Sequence, residues 1–232
     1  MHITDENDIV AWSPHRAGSA ARRGAGMASL AAAILTLAGG PALAEPHCPP
    51  GLPPGVGCGS LDLTPARAGV YAVDADHAAV VARVSHLGYS LSVFRFGKVV
   101  GTLAWDPAAI PASKLSVSVD TASITTPVAG FAEELAGDRF LKSKTFPQAL
   151  FVSTAFRKQD ATHGRVDGAF TLMGVTRPLT FDVALVGAGK GFGQPRIGVA
   201  AHAVLNPADY GLSPVLGDAI ELVVDAEFVR KP

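Results

Sequence analysis

From about residue 69 onward, apolar and polar residues alternate with a period of two. In the stretch GAFTLMGVTRPLTFDVAL, Phe170 and Leu172 share one face of a first segment, and alternate members of residues 179–185 share one face of a second. Period two places successive side chains on opposite faces of a β-strand. Gly174 and Pro178 flank the point where the pattern stops, and both residue types suit a turn. The stretch therefore predicts a hairpin with one apolar face.

The same alternation recurs at regular spacing along the chain. It is found in GVYAVD, HAAVVARVSHLG, SLSVFRFGKVVGTLAWD, KLSVSVD, QALFVSTAFRK, HGRVDGAFTLMG, RPLTFDVALVG, PRIGVAAHAVLN and AIELVVDAEFV. The third of these segments is long, and Gly97 and Gly101 predict bends or bulges within it. These segments predict about eight strands separated by turn residues.

One segment departs from the alternation. TPVAGFAEELAGDRFLKSKTFP has a helical composition around Val128 to Leu135, and it predicts one or two short helices in a crossing loop. We expect Phe131, Leu135, Phe140 and Phe146 to hold this loop against the body of the protein. One or two short helices cannot cover the faces of a parallel sheet. The strands are therefore expected to be antiparallel.

Regularly spaced antiparallel strands form a sandwich or a barrel, and closure into a barrel removes exposed sheet edges. We therefore predict an all-β fold, an eight-stranded antiparallel barrel with one short helical insertion. A barrel of this size has an interior that is either filled by side chains or able to hold one small ligand.

The N-terminal residues resemble an export signal. Basic residues precede the apolar stretch MASLAAAILTLAGGPALA, which ends in a small-x-small site at Ala42–Ala44. We predict a cleaved secretory signal peptide at residues 1–44, with a buried alanine-rich helix as the alternative. General secretion is favoured over twin-arginine export, because no large apolar residue follows Arg22-Arg23 closely. We expect the mature protein to be periplasmic.

Residues 45–68 form a Pro/Gly-rich leader that we expect to be irregular and mobile, and residues 69–232 form the barrel domain. The chain has two cysteines, Cys48 and Cys58, in CPPGLPPGVGC. An oxidising compartment favours a disulfide between them. Two cysteines alone do not make a zinc site, and the Cys-x-x-Cys-His pattern of haem attachment is absent.

Charge and hydropathy exclude other classes of protein. The formal net charge is −1, and no basic run is present, which argues against a nucleic-acid partner. No apolar run in the sequence reaches the roughly 20 residues that a membrane-spanning helix needs.

No catalytic motif stands out. The sequence contains no Gly-x-Ser-x-Gly, no His-Glu-x-x-His and no glycine-rich phosphate loop. His77 and His86 are nine residues apart, so on one uninterrupted strand they would face opposite sides and share no metal. We expect no catalytic residue, no metal ligand and no enzyme activity, although a triad assembled in space is not excluded by sequence.

Five motifs in order resemble the YceI-like family, the exported polyisoprenoid-binding proteins with a lipocalin-like barrel. YAVDADHAAVVARVSHLG resembles the family's opening, and VSVDTASITT resembles its acidic-x-x-Ser-x-x-Thr segment. FPQALFVST, VDGAFTLMGVTRPLTF and DYGL resemble its later strands and turns. The resemblance runs from about Tyr71 to Phe228. It implies a lipocalin-like barrel that holds a long-chain isoprenoid or a related amphiphilic lipid.

The predicted ligand-binding residues are apolar side chains expected on the inner face, with one histidine. They are Val80, Val84, His86, Phe94, Phe96, Phe140, Phe146, Phe151, Phe170, Leu172 and Phe181. The alternative for each phenylalanine is that it only fills the core. The ligand is expected to be an isoprenoid, a prenyl quinone or a fatty-acid derivative, with a homodimer as a possible assembly.

Two other functions are alternatives to the lipid carrier. One is an interaction module without a ligand, and the other is a quinone-handling accessory of a membrane cytochrome. An enzyme is the third and least favoured alternative.

Overall fold

The computed structural model describes residues 47–217 and 219–232. Its strands are β1 (Gly69–His86), β2 (Ser90–Phe96), β3 (Val99–Trp105), β4 (Lys114–Asp120), β5 (Ile124–Thr125), β6 (Gln148–Lys158), β7 (His163–Leu172), β8 (Val175–Gly191), β9 (Gln194–Leu205) and β10 (Ile220–Arg230). The helix α1 is Phe131–Ala136, and short 3₁₀ turns lie at Ile110–Ala112, Thr121–Ser123, Pro207–Tyr210 and Pro214–Leu216. None of the helices in this part of the chain is long and apolar enough to span a bilayer.

The strands form a closed antiparallel barrel. Neighbours pair in the order β10-β9-β8-β7-β6-β4-β3-β1, and β10 also pairs with β1, which closes the ring. β2 continues β3 along β1, and the short β5 pairs with β2. If β2 and β3 are counted as one interrupted strand, the wall has eight strands, which confirms the predicted fold.

The predicted hairpin is formed by β7 and β8, with Met173 and Gly174 in the turn. Gly174 has a φ of 78°, a conformation that glycine adopts without strain. Pro178 is inside β8 rather than at the turn, where it is paired with Ala169 of β7. Pairing of β8 with β9 begins only at Asp182. The missing N–H of Pro178 therefore interrupts no ladder on that side.

The long third segment breaks where one glycine was predicted to bend it. β2 ends at Phe96 and β3 begins at Val99, so the interruption includes Gly97. The prediction of a second bend at Gly101 is wrong, because Gly101 is within β3 and pairs with Val117. A Cβ on Gly101 would lie 2.8 Å from the carbonyl oxygen of Ser116, so glycine serves a close approach there.

β1 contains an irregularity that the sequence analysis did not predict. Its pairing with β10 shifts register between Val73 and Ala78, which is typical of a β-bulge. His77 lies in this bulge, so the premise that His77 and His86 share one uninterrupted strand is wrong.

The crossing loop contains the single α-helix of the described residues. α1 begins at Phe131, three residues later than the predicted start at Val128, because Gly130 adopts a left-handed conformation with φ of 75°. Leu135 and Phe140 are buried in the core beneath it, and Phe131 contacts Phe94 edge-on with ring centroids 6.1 Å apart.

The leader is irregular, but it packs against the barrel rather than standing free of it. Cys48 and Cys58 are joined by a disulfide. Ser60 exchanges two backbone hydrogen bonds with Ala188 of β8, with N···O distances of 3.0 and 2.8 Å. Ala66 is only 1% exposed, so the leader contributes to the core.

Candidate ligand-binding cavity

The barrel encloses a cavity of about 310 Å³, at the lower end of the range for ligand pockets. Every strand and α1 contribute to its lining, which is almost entirely apolar. On each strand the inward positions alternate with outward ones, as the period-two pattern requires. Val80, Phe96 and Phe181 are only half-buried although they face inward, because they border the cavity.

All but two of the predicted ligand-binding residues line this cavity. Those that do are Val80, Val84, Phe94, Phe96, Phe140, Phe151, Phe170, Leu172 and Phe181. Several of them, such as Phe94 and Phe151, are also buried members of the core. These residues therefore both pack in the core and line the cavity, and their ligand-binding role stays a prediction.

His86 and Phe146 do not line the cavity. His86 is the last residue of β1 and is exposed, because the wall ends beside it where β10 begins at Ile220. Phe146 is half-buried against the β7–β8 turn. A Cβ on Gly174 would lie 2.9 Å from the Phe146 ring.

Some lining residues were not predicted. Val199 of β9 and Val224 of β10 face the cavity, and the alternation of those strands could have identified them. Leu63 also lines it, although it belongs to the leader. No local pattern predicts that an irregular segment folds back to the barrel, so Leu63 had no signal in the sequence.

Gly168 gives the aromatic side chains room to meet. A Cβ at Gly168 would overlap with the ring of Phe151 on the neighbouring strand β6. Because glycine has no Cβ, the ring of Phe151 extends over β7 and meets Phe181 of β8 edge-on, with ring centroids 5.0 Å apart. Such edge-to-face contacts are favourable. The glycine therefore shapes one wall of the cavity.

The cavity opens beside the β6–β7 hairpin. The lining residues that are exposed to solvent all belong to that hairpin, namely Arg157, Lys158, Asp160, Ala161, His163 and Arg165. At the opposite end, Leu135, Phe140 and Leu212 line the cavity and are buried. Within the described residues, the helical insertion therefore covers the closed end, and the mouth is at the other end.

Asp160, Thr162 and His163 at the mouth form a turn motif rather than a catalytic triad. His163 Nδ1 lies 3.1 Å from both Thr162 Oγ1 and Asp160 Oδ1. A triad uses two different ring nitrogens for the nucleophile and the carboxylate. Asp160 also accepts hydrogen bonds from the backbone N–H groups of Thr162 and His163, which lower the pKa of Asp160 to about 2.

An ion-pair cluster lies on the outer surface, away from the cavity. His77 Nδ1 is 3.1 Å from Asp74 Oδ2 and 3.9 Å from Glu227 Oε2. These three groups are close enough to offer ligands to a metal ion. However, Arg196 Nη1 lies 2.8 Å from Asp74 Oδ2 and 3.0 Å from Glu227 Oε1, so the guanidinium group of Arg196 already pairs with both carboxylates. The arrangement fits a structural ion-pair network.

In the described residues, the fold and cavity together define a closed β-barrel with an apolar interior and a polar mouth at the β6–β7 hairpin. The sequence matches the YceI-like domain family over residues 71–228, and the chain belongs to that family. A UPF0312 protein of Pseudomonas putida strain W619 is 35% identical over 181 residues, which cover 76% of this chain and 94% of the relative.

Two solved structures share the fold. The Campylobacter jejuni YceI protein is 27% identical, with a TM-score of 0.58, covering 64% of this chain and 91% of that one. A domain from Saccharophagus degradans, described as polyisoprenoid binding, is 15% identical, with a TM-score of 0.54, covering 69% of this chain and 98% of that one.

Proposed function

We propose that this protein is an exported, periplasmic carrier that holds the apolar chain of an isoprenoid or a related amphiphilic lipid inside its barrel and performs no bond chemistry. The observation that carries the proposal is the apolar cavity of about 310 Å³, whose solvent-exposed lining residues all lie at the β6–β7 hairpin within the described part of the chain. The description of the Saccharophagus degradans domain as polyisoprenoid binding supports the same ligand class. The signal-like N-terminus supports the compartment.

The physical basis is the removal of a hydrocarbon chain from water. Each buried CH₂ group contributes about 0.8 kcal/mol, so ten groups contribute on the order of 8 kcal/mol before ordering costs. A polar head could not follow the chain inward, because burying an unpaired polar group costs several kcal/mol. The cavity therefore favours the chain and leaves the head at the mouth.

The first test is mass spectrometry of an organic extract from protein purified out of the periplasm. We expect a near-stoichiometric prenyl, quinone or acyl species. A matched pair of variants then locates it. Val224→Phe places a ring in the cavity, whereas Val204→Phe adds the same ring at a position that is 54% exposed.

We expect Val224→Phe to lose at least about tenfold of the bound species while its melting temperature stays the same or rises, because filling a cavity without strain is stabilising. Val204→Phe should retain the ligand. Retention by a folded Val224→Phe variant would contradict the cavity assignment. A clean extract that stays clean after incubation with native-membrane lipids would direct attention to the interaction-module alternative.

A further inference from the structure

The mouth of the cavity carries an excess of basic side chains over acidic ones. Residues 157–165, RKQDATHGR, place two arginines, one lysine and one histidine around a single aspartate. The interior beyond them is almost entirely apolar. Among the described residues, the charged side chains that a ligand in this cavity would meet therefore lie at the hairpin. The question is which of these charges is free to bind a ligand.

Both arginines are already neutralised on the outer surface. Arg157 Nη2 lies 2.6 Å from Asp167 Oδ2, and Arg165 Nε lies 2.7 Å from Asp182 Oδ1. Asp160 accepts hydrogen bonds from the backbone N–H groups of Thr162 and His163 in its own turn. These groups therefore serve the local structure of the hairpin.

Lys158 is the exception. It is two residues beyond Phe156 on β6, and both residues line the cavity, so Lys158 is on the inward register at the rim. No carboxylate among the described residues lies within 4.0 Å of its ammonium group. Its partner across the ladder is Gly164, which has no side chain to cover the lysine.

We propose that Lys158 binds the terminal oxyanion of the carried lipid, a carboxylate or a phosphate, at the mouth of the barrel. This inference rests on the proposed carrier function and names the head group that the carrier selects. An ammonium group forms a charge-assisted hydrogen bond with an oxyanion but none of comparable strength with an alcohol or an amide. The apolar chain then extends inward from Lys158.

The test compares ligands that differ only in the head group. Farnesyl monophosphate is compared with farnesol, and dodecanoate with dodecanamide, by calorimetric titration of the full mature protein at low ionic strength. The variant is Lys158→Gln. The control is Lys114→Gln, because Lys114 begins the neighbouring strand β4, is exposed and does not line the cavity.

For the wild type we expect about five- to tenfold tighter binding of the anionic member of each pair, a size typical of a partly exposed charge-assisted contact. Lys158→Gln should remove that preference and leave the affinity for farnesol and dodecanamide unchanged. Lys114→Gln should keep it. A preference for phosphate alone or for carboxylate alone would identify the source of the oxyanion.

Equal binding of anionic and neutral ligands by the wild type would overturn the role of Lys158, as would a preference that survives Lys158→Gln. The carrier function would still stand in both cases, because the neutral ligands report chain binding independently. If no ligand binds, or if Val224→Phe binds them as well as the wild type, the carrier function fails and the head-group proposal fails with it.

Discussion

Asp74 and Arg196 connect strands that are not neighbours in the barrel. Asp74 is on β1 and Arg196 is on β9, with β10 and its Glu227 between them. The hydrogen bond from Arg196 is the main cause that lowers the pKa of Asp74, and His77 adds to it, while partial burial acts in the opposite direction. The Asp-x-x-His spacing in the sequence pointed to Asp74 and His77. It did not point to Arg196, which is more than 100 positions away.

We expect Asp74→Asn to lower the free energy of unfolding at pH 7 by about 1–2 kcal/mol, because Arg196 loses a charge-assisted partner. The pKa of Asp74 is lowered on folding, so its contribution is present above the unfolded pKa near 4 and is lost as pH falls through the folded value. The difference from the wild type should therefore shrink below about pH 4. Urea denaturation at a series of pH values measures it, and a difference that is constant with pH would contradict the assignment.

At the scale of elements, the wall formed by β6, β7 and β8 depends on one position of β7 that has no side chain. Gly168 of β7 leaves space for Phe151 of β6, which reaches Phe181 of β8. Alternation predicted that these phenylalanines face inward. It could not predict that two of them meet across an intervening strand, because that depends on the pairing register and on the empty position between them.

We expect Gly168→Ala to destabilise the protein by about 1–3 kcal/mol, since the added methyl group overlaps with the ring of Phe151 and with nearby backbone. Gly198→Ala is the control, because a Cβ there would meet its nearest neighbour at an ordinary distance of 3.6 Å. Its effect should stay within about 0.5 kcal/mol. Chemical denaturation compares the two variants, and equal stabilities would show that the ring moves aside without cost.

For the whole molecule, the number of strands and the apolar inner face were predictable from alternation, and the antiparallel pairing was predictable from the small number of helices. The position of the mouth was not, because it depends on which strands extend furthest. β8 and β9 continue beyond the β6–β7 hairpin, so one side of the wall is taller than the other. The leader packs on that taller side, which is why Leu63 and Ala66 reach the core.

An occupied cavity should stabilise the whole barrel, because a ligand that binds only the folded state shifts the unfolding equilibrium. We expect extraction of the bound lipid from the folded protein to lower the melting temperature by several degrees, corresponding to roughly 2–3 kcal/mol at a ligand concentration of 100 Kd. Differential scanning calorimetry before and after extraction, and again after adding farnesol, measures the shift. An unchanged melting temperature through all three steps would indicate that no chain occupies the barrel.

For the proposed carrier, a mouth at the β6–β7 hairpin and a closed opposite end in the described residues would also determine the order of events in transfer. A tube that is closed at one end cannot pass its cargo through, so the hydrocarbon tip enters first and leaves last. The head stays outside and is the first part of the lipid that a donor or an acceptor meets. In the proposed carrier, uptake and delivery would therefore use the same face of the protein, the β6–β7 hairpin, and a donor and an acceptor would engage that face in turn rather than together.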